Sequence, residues 1–337
     1  MHAATTPAPR RPDARILAVG TEGEMRVVPR TALLDLLRPG DLLVANDAAT
    51  LPASLAGMHR RTGAPIEVRL AGRRSLRYDD VRAFAAVVFG AGDHRTRTEL
   101  RPLPPPMERG DALDLGPLRA TVVRTLGHPR LLRLRFEGRP AEVWDGIARH
   151  GRPVQYAYVP EPLALWDVWT GIAAHPVAFE APSAGFLLDW QLLGRLAGRG
   201  IGFATLTHAA GLSSTGDPEL DAGFPLDEAY FIPEGTAHAI AHARRVIAVG
   251  TTVTRALEHA GGRAGAGLAT QRIGPGTPLR AVDAILTGAH EPGESHYALL
   301  RAFAPDRVLE RMSVALEGGG FRSHEFGDAV LVPRYRG

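Results

Sequence analysis

Between Gly57 and Arg152 this chain carries no long amphipathic helix, whereas the stretches on either side alternate strand with helix. Inside that window the apolar runs are short: Ile66–Leu70, Val81–Phe89, Arg119–Thr125 and Leu131–Phe136. Gly and Pro clusters at Gly90–Gly92, Pro104–Pro106 and Gly127–Pro129 separate them. Short strands divided by turn signals point to an all-β barrel or sandwich. A short helical pattern over Glu142–Arg149 is the one exception.

The flanks have a different texture. Ile16–Val19 and Met25–Val28 have strand character, and Thr31–Leu37 a helical spacing that Pro39-Gly40 stops. Asp41–Val44 is a short apolar strand. Beyond Tyr156, helices are expected at Leu187–Ala197, Gly235–Ala243, Thr251–Ala260, Ala298–Phe303 and Val308–Leu316. They alternate with strands at Ile201–Leu206, Val246–Val249, Ala281–Leu286 and Ala329–Val332. The expected fold class is α/β: a mixed-sheet α/β domain interrupted by an inserted small β-barrel. Residues 14–56 and 156–337 make the discontinuous α/β domain, and 57–155 the barrel. Residues 1–13, rich in Ala, Pro and Thr, have no apolar core and are expected to be a disordered tail.

Composition removes several chemistries. The sequence has no cysteine, which excludes disulfides, thiolate nucleophiles and Cys-ligated metals. All 39 residues counted as Lys or Arg are arginine. Without lysine there is no P-loop phosphate grip and no Schiff base. The net charge is only +3, so basic character is a weak nucleic-acid signal. No apolar run is long enough to cross a membrane, and no signal peptide is apparent, so the cytoplasm is expected.

Three motifs mislead. Gly198-Arg-Gly200-Ile-Gly202 follows a helix and opens a strand, the reverse of a dinucleotide loop. His238 and His242 are spaced for a metal on one helix face, but no third ligand is evident. His290-Glu291-Pro292 begins like a zinc-protease helix that Pro292 breaks. No metal is therefore expected. Arg60, Arg61, Arg73, Arg74, Arg77, Arg95 and Arg97 make the β segment locally basic, as a phosphate track or as a solvated face.

Function is concentrated at strand ends. Val246-Ile-Ala-Val-Gly250 runs into Thr251-Thr252-Val-Thr-Arg255, a strand, a tight turn and a helix start whose free N–H groups favour an anion. Asn46 and Asp47 stand where α/β proteins gather ligand groups. Pro182, Ser183, Ala184 and Gly185 form a small-residue turn that a ligand can approach closely. Thr207-His208 delivers a histidine at another strand end, and Glu228-Ala-Tyr230 a carboxylate with a phenol.

The order of these segments resembles one family. The match runs from about Leu36 to Val332. It includes Pro39-Gly-Asp-Leu-Leu-Val-Ala-Asn46-Asp47, Ala181-Pro-Ser-Ala-Gly185, Val246–Glu258 and Phe326-Gly-Asp328-Ala329. These segments are similar to the S-adenosylmethionine:tRNA ribosyltransferase-isomerase of queuosine biosynthesis. The resemblance implies an α/β domain with an inserted barrel. It also implies the reaction: the ribosyl unit of S-adenosylmethionine is rearranged and placed on a 7-aminomethyl-7-deazaguanine in tRNA, releasing adenine and methionine. The chemistry needs a base beside the sulfonium and a donor for departing adenine.

On this reading His208 and Glu228 move protons, with Tyr230 and Asp328 as further polar groups of the site. Gly250, Thr251, Thr252 and Arg255 hold the methionine carboxylate or another anion. Asn46 and Asp47 take ribose hydroxyls, Pro182 to Gly185 line the nucleoside, and Trp166 and Trp169 stack on adenine or the acceptor. S-adenosylmethionine is a substrate, tRNA the partner, and a monomer the simplest expectation. The chain departs from the family at Ala48-Ala49, Phe186-Leu187-Leu188, His208–Asp217 and Gly288–Pro292. The aromatic segment from Gln155-Tyr156-Ala157-Tyr158 to Trp169 is also unusual. Two rival readings follow: a paralog that uses S-adenosylmethionine with a small acceptor or none, and a non-catalytic RNA-binding module.

Overall fold

The computed structural model describes residues 1–7 and 13–335. A nine-stranded mixed sheet organises one body and a closed six-stranded barrel the other. At the centre of the sheet four strands run parallel: Gly202–His208, Asp41–Asn46, Arg245–Val249 and Ala284–Gly288. Asp41–Asn46, Arg245–Val249 and Ala284–Gly288 are mostly apolar and buried, as strands covered on both faces must be, while Gly202–His208 is buried only over its last three residues. Leu42 and Val44 pack to one side, and Leu43 and Ala45 to the other. Antiparallel or mixed pairs extend the sheet at both edges.

Register sets the geometry of function. Leu206 lies beside Asn46, Ala45 beside Val249, and Val249 beside Leu286. The carboxyl ends of the four parallel strands therefore share one edge. That edge is where open α/β sheets bind ligands.

The barrel uses strands Ser54–His59, Ala64–Gly72, Ala83–Phe89, Ala112–Leu115, Leu118–His128 and Leu131–Phe136, every neighbouring pair antiparallel. Gly57 has a structural reason: a Cβ there would lie 2.2 Å from the Asp114 carbonyl oxygen. Closure removes the exposed edges of the sheet. Inside, Phe84 meets Phe136 and Phe179 edge-on, at 5.6 and 6.0 Å. Phe179 comes from beyond the barrel, so its core continues into the α/β body.

The disordered tail expected over residues 1–13 is corrected where it can be seen. His2–Ala3 pairs in parallel with Arg322–Ser323, and Ala4 is fully buried. Residues 8–12 lie outside the described residues. The expected helix at Thr31–Leu37 is a 3-10 segment, Arg30–Leu36, and the first C-terminal helix is Ser295–Leu300, three residues earlier than its apolar spacing suggests. Strands Glu228–Ile232 and Gly265–Ala269 were not expected, being short pairs at the sheet edge. Among the described residues no helix is long and apolar enough to cross a membrane.

Candidate active site

The segments around residues 46, 208 and 250 converge, but most of their polar side chains serve the fold. Asn46 is buried. Its Nδ2 donates to the His208 carbonyl at 2.9 Å, and its Oδ1 accepts from the His208 and Ala48 N–H groups at 2.9 and 3.1 Å. It clamps two adjacent strand ends, so its expected role on ribose is corrected. Asn46→Ala leaves the buried N–H groups of His208 and Ala48 without their acceptor, while the His208 carbonyl keeps the Ala210 N–H, and is expected to cost ~2 kcal/mol. Urea denaturation checks this.

Glu228 and Arg255 form a buried ion pair. Glu228 Oε1 also accepts from Gly211 N–H at 2.6 Å. Arg255 donates Nε to the Gln271 carbonyl and Nη2 to the carbonyls of Leu226 and Ala269, each at 2.9 Å. With most of its donors occupied, Arg255 is a strut rather than a carboxylate grip.

His208 is fully buried, its Nε2 3.5 Å from Glu228 Oε2. Burial lowers its pKa to about 4; Glu228 opposes that shift and Arg255 reinforces it. The unfolded chain therefore binds a proton near pH 6.5 that the folded chain refuses until about pH 4. Stability contributed by neutral His208 is present above that window and lost as pH falls through it. His296, held down to about 3 chiefly by burial, acts in the same direction. The fall in Tm from pH 6.5 to 4 is expected to be shallower in His208→Gln than in the parent. An unchanged slope would show that His208 is not the group responsible.

Tyr230 packs in the core with its hydroxyl 2.9 Å from His259 Nδ1, away from the role expected of it. Asp47 accepts from the Thr207 hydroxyl at 2.7 Å. Trp166 is 72% exposed and Trp169 41%, with the Trp169 indole donating to the Thr50 carbonyl. Gly250 takes φ +100°, opening the helix Thr251–Ala260, and among the described residues no side chain caps that N-terminus. A Cβ on Gly250 would lie 3.4 Å from that of Ala184, so the helix start and the small-residue turn are neighbours. Pro182 precedes the 3-10 turn Ser183–Leu187, in which Gly185 is buried against Thr170.

Two adjoining clefts open at this edge. One is a shallow, open cleft lined by Ser183, Ala184, Phe186, Gly288, His324 and Asp328 among others. The second lies between Thr50, Gln155, Tyr156, Tyr158 and Glu180. Glu325 and Phe326 belong to both walls. His208, Glu228 and Arg255 are not among the lining residues of either. Asp328 is buried at the first cleft, accepting from the Arg15 and Arg322 N–H groups at 2.9 Å.

The titratable groups that face these clefts are different ones. Tyr158 donates a hydrogen bond to Glu325, and Tyr156 one to Glu180. Glu180 also accepts from the N–H and hydroxyl of Ser213. Burial pushes Glu325 up to about 7 and raises Glu180 as well. The rings of Tyr156 and Tyr158 stack at 5.8 Å, and Tyr158 stacks on His324 at 4.6 Å. His324 holds a positive φ of 66°, a strained setting for a non-glycine residue. The buried Arg69–Glu67 pair of the barrel reaches this wall, with the Arg69 guanidinium 5.6 Å from the Tyr156 ring. The second cleft thus sits at the junction of barrel and sheet, a common place for a ligand.

Neither Glu325, which adjoins Phe326-Gly327-Asp328, nor Glu180, which lies just before the Pro182–Gly185 turn, stands out in the sequence as a site residue. The signal available was the Tyr-Ala-Tyr spacing at 156–158. The arginines of the β segment are mostly neutralised: Arg61 by Asp111 and Glu108, Arg74 by Asp227, Arg95 by Asp93, and Arg97 by Glu99. Arg73 is buried.

Residues 1–332 match the family described as queuosine biosynthesis protein. The chain is 33% identical to the S-adenosylmethionine:tRNA ribosyltransferase-isomerase of Sorangium cellulosum, over 98% of its own length and 94% of the relative's. The enzyme of the same name from Thermus thermophilus is 33% identical over 95% and 92%. The crystal structure of S-adenosylmethionine tRNA ribosyltransferase from Thermotoga maritima shares the fold, with a TM-score of 0.50, 21% identity and coverage of 98% and 95%.

Proposed function

Because the chain belongs to the queuosine biosynthesis protein family, we propose that it is an S-adenosylmethionine:tRNA ribosyltransferase-isomerase acting at the paired clefts. The observation that carries this reading is the place of Glu325 on the wall shared by both clefts, beside the Tyr158 hydroxyl, where burial pushes its pKa up to about 7. A group poised there can accept a proton from the carbon beside the sulfonium, or return one to departing adenine. Tyr158 orients it through a donated hydrogen bond. The small residues Ser183, Ala184 and Gly288 on the wall of the first cleft permit close approach of a nucleoside that widens it on binding, and the stacked Tyr156–Tyr158–His324 platform suits a flat base. Trp166, exposed beyond the clefts, suits an unstacked nucleotide of an anticodon loop. A cytoplasmic setting, where tRNA is modified, goes with this reading.

Phe186 and Leu187 line the first cleft where the family resemblance puts a histidine. That observation favours a second reading, a paralog that uses S-adenosylmethionine with a small acceptor or none. Adenine release separates the two. The chain is incubated with S-adenosylmethionine alone, then with tRNA bearing 7-aminomethyl-7-deazaguanine. Release only with that tRNA is expected. Release without tRNA supports the paralog. tRNA binding with no turnover of S-adenosylmethionine leaves an RNA-binding module and sinks the enzyme.

A further inference from the structure

The loop after the strand Ala284–Gly288 carries a cluster that the proposed reaction does not use. His290, Glu294 and His296 each present a ligand atom, and these atoms lie within 4.8 Å of one another. His290 Nδ1 is 3.3 Å from Glu294 Oε2. Donors held ~2.0–2.2 Å from a tetrahedral ion are about 3.3–3.5 Å apart, so this pair already has the required separation. His290 Nε2 stands 3.3 Å from the Thr287 hydroxyl. A proton on Nε2, donated to Thr287, leaves the Nδ1 lone pair facing the carboxylate. Metal-binding histidines are commonly fixed in that way. Two electron-rich atoms this close repel unless a proton or a cation stands between them.

The surroundings extend the set. The rings of His290 and His296 stack at 4.6 Å, bringing a second imidazole to the same carboxylate. His324 Nδ1 is 4.0 Å from Glu294 Oε1, on the cleft side. All three members of the cluster are half-buried, accessible to an ion yet partly desolvated. Two imidazoles with one carboxylate select a zinc-class ion; magnesium and calcium prefer oxygen donors alone. The exposed pair on the helix Glu234–His242 lacks this support: His242 Nδ1 is spent on the His238 carbonyl, 2.8 Å away.

We propose that His290, Glu294 and His296 bind a divalent zinc-class cation, with His324 beside its open position. The ion fixes the 290–296 loop, and with it Glu294, against which His324 on the wall of the first cleft stands at 4.0 Å. This holds whether or not the chain turns over S-adenosylmethionine, and it revises the expectation of a metal-free protein.

The test uses the untagged full chain, stripped with a chelator and titrated with Zn²⁺ alone by calorimetry, with Co²⁺ absorption reporting ligand geometry. One ion per chain is expected. His296→Ala and Glu294→Gln should each weaken binding by at least ~10–100-fold. His238→Ala, which removes the exposed pair, should leave it unchanged. Glu294→Gln keeps the side chain's size, and circular dichroism checks that both variants fold. Absence of stoichiometric binding, or undiminished binding by the folded Glu294→Gln chain, overturns the site. So does loss of binding in His238→Ala.

Discussion

Glu325→Gln is expected to lower turnover of S-adenosylmethionine by ~10²–10⁴-fold while the chain stays folded. The amide keeps the shape of the side chain and can still accept from Tyr158, so what is lost is the titrating proton. Two further readouts separate this from damage to the cleft. The parent rate should depend on a group near pH 7, and that limb should vanish in the variant. Stability should move the opposite way. A carboxyl raised from 4.5 to about 7 keeps its proton in the folded chain after the unfolded chain has released it. Folding stability therefore falls as pH rises through that window. Glu325→Gln removes the penalty and should melt higher than the parent at pH 8. A folded variant with full activity, or a pH profile that keeps its limb, would take Glu325 out of the mechanism.

The largest loss of stability is expected from Arg255→Met. That substitution leaves Glu228 buried without its partner, and breaking such a pair by removing one member costs about 3–5 kcal/mol. It also strands the carbonyls of Leu226, Ala269 and Gln271, which the guanidinium now joins. The network spans the start of the strand Glu228–Ile232, the helix Thr251–Ala260 and the end of the strand Gly265–Ala269, so the sheet edge should loosen as a unit. The double variant Arg255→Met, Glu228→Leu should recover part of the loss, because no uncompensated charge then remains. Thermal or urea melts of the two chains measure the difference. Equal stability of Arg255→Met and parent would contradict the account of Arg255 as a strut.

These two residues show what the sequence could and could not disclose. The strand–turn–helix at Val246–Ala260 was legible because Gly250 and the apolar spacing after Thr251 each demand it locally. The parallel strand ends were legible too, as short apolar runs closed by polar residues. What was not legible is where those polar side chains point. Asn46, His208 and Arg255 look like ligand groups in the sequence, since a polar residue ending a buried strand is written the same way in either role. The sheet register decides it: Asn46 meets the His208 backbone on the adjacent strand, and its hydrogen bonds are spent there. Conversely, Tyr158 and Glu325 are separated by 167 positions. No local pattern links an aromatic segment before the Ala181–Gly185 turn to a glutamate near the C-terminal strand. The buried Glu67–Arg101 pair was hidden for the same reason, because its members are 34 positions apart and meet only when the loop after the strand Ala83–Phe89 folds back.

On the proposed function the substrate lies along the carboxyl edge of the sheet, in contact with Glu325 and not with the buried His208–Glu228–Arg255 cluster. A crystal structure of the chain with S-adenosylmethionine bound decides this. The nucleoside is expected between Ser183–Ala184 and Gly288, with Glu325 within hydrogen-bond reach of the ligand. Density for the ligand at another face of the protein, or a bound ligand with Glu325 turned away from it, would overturn the proposal.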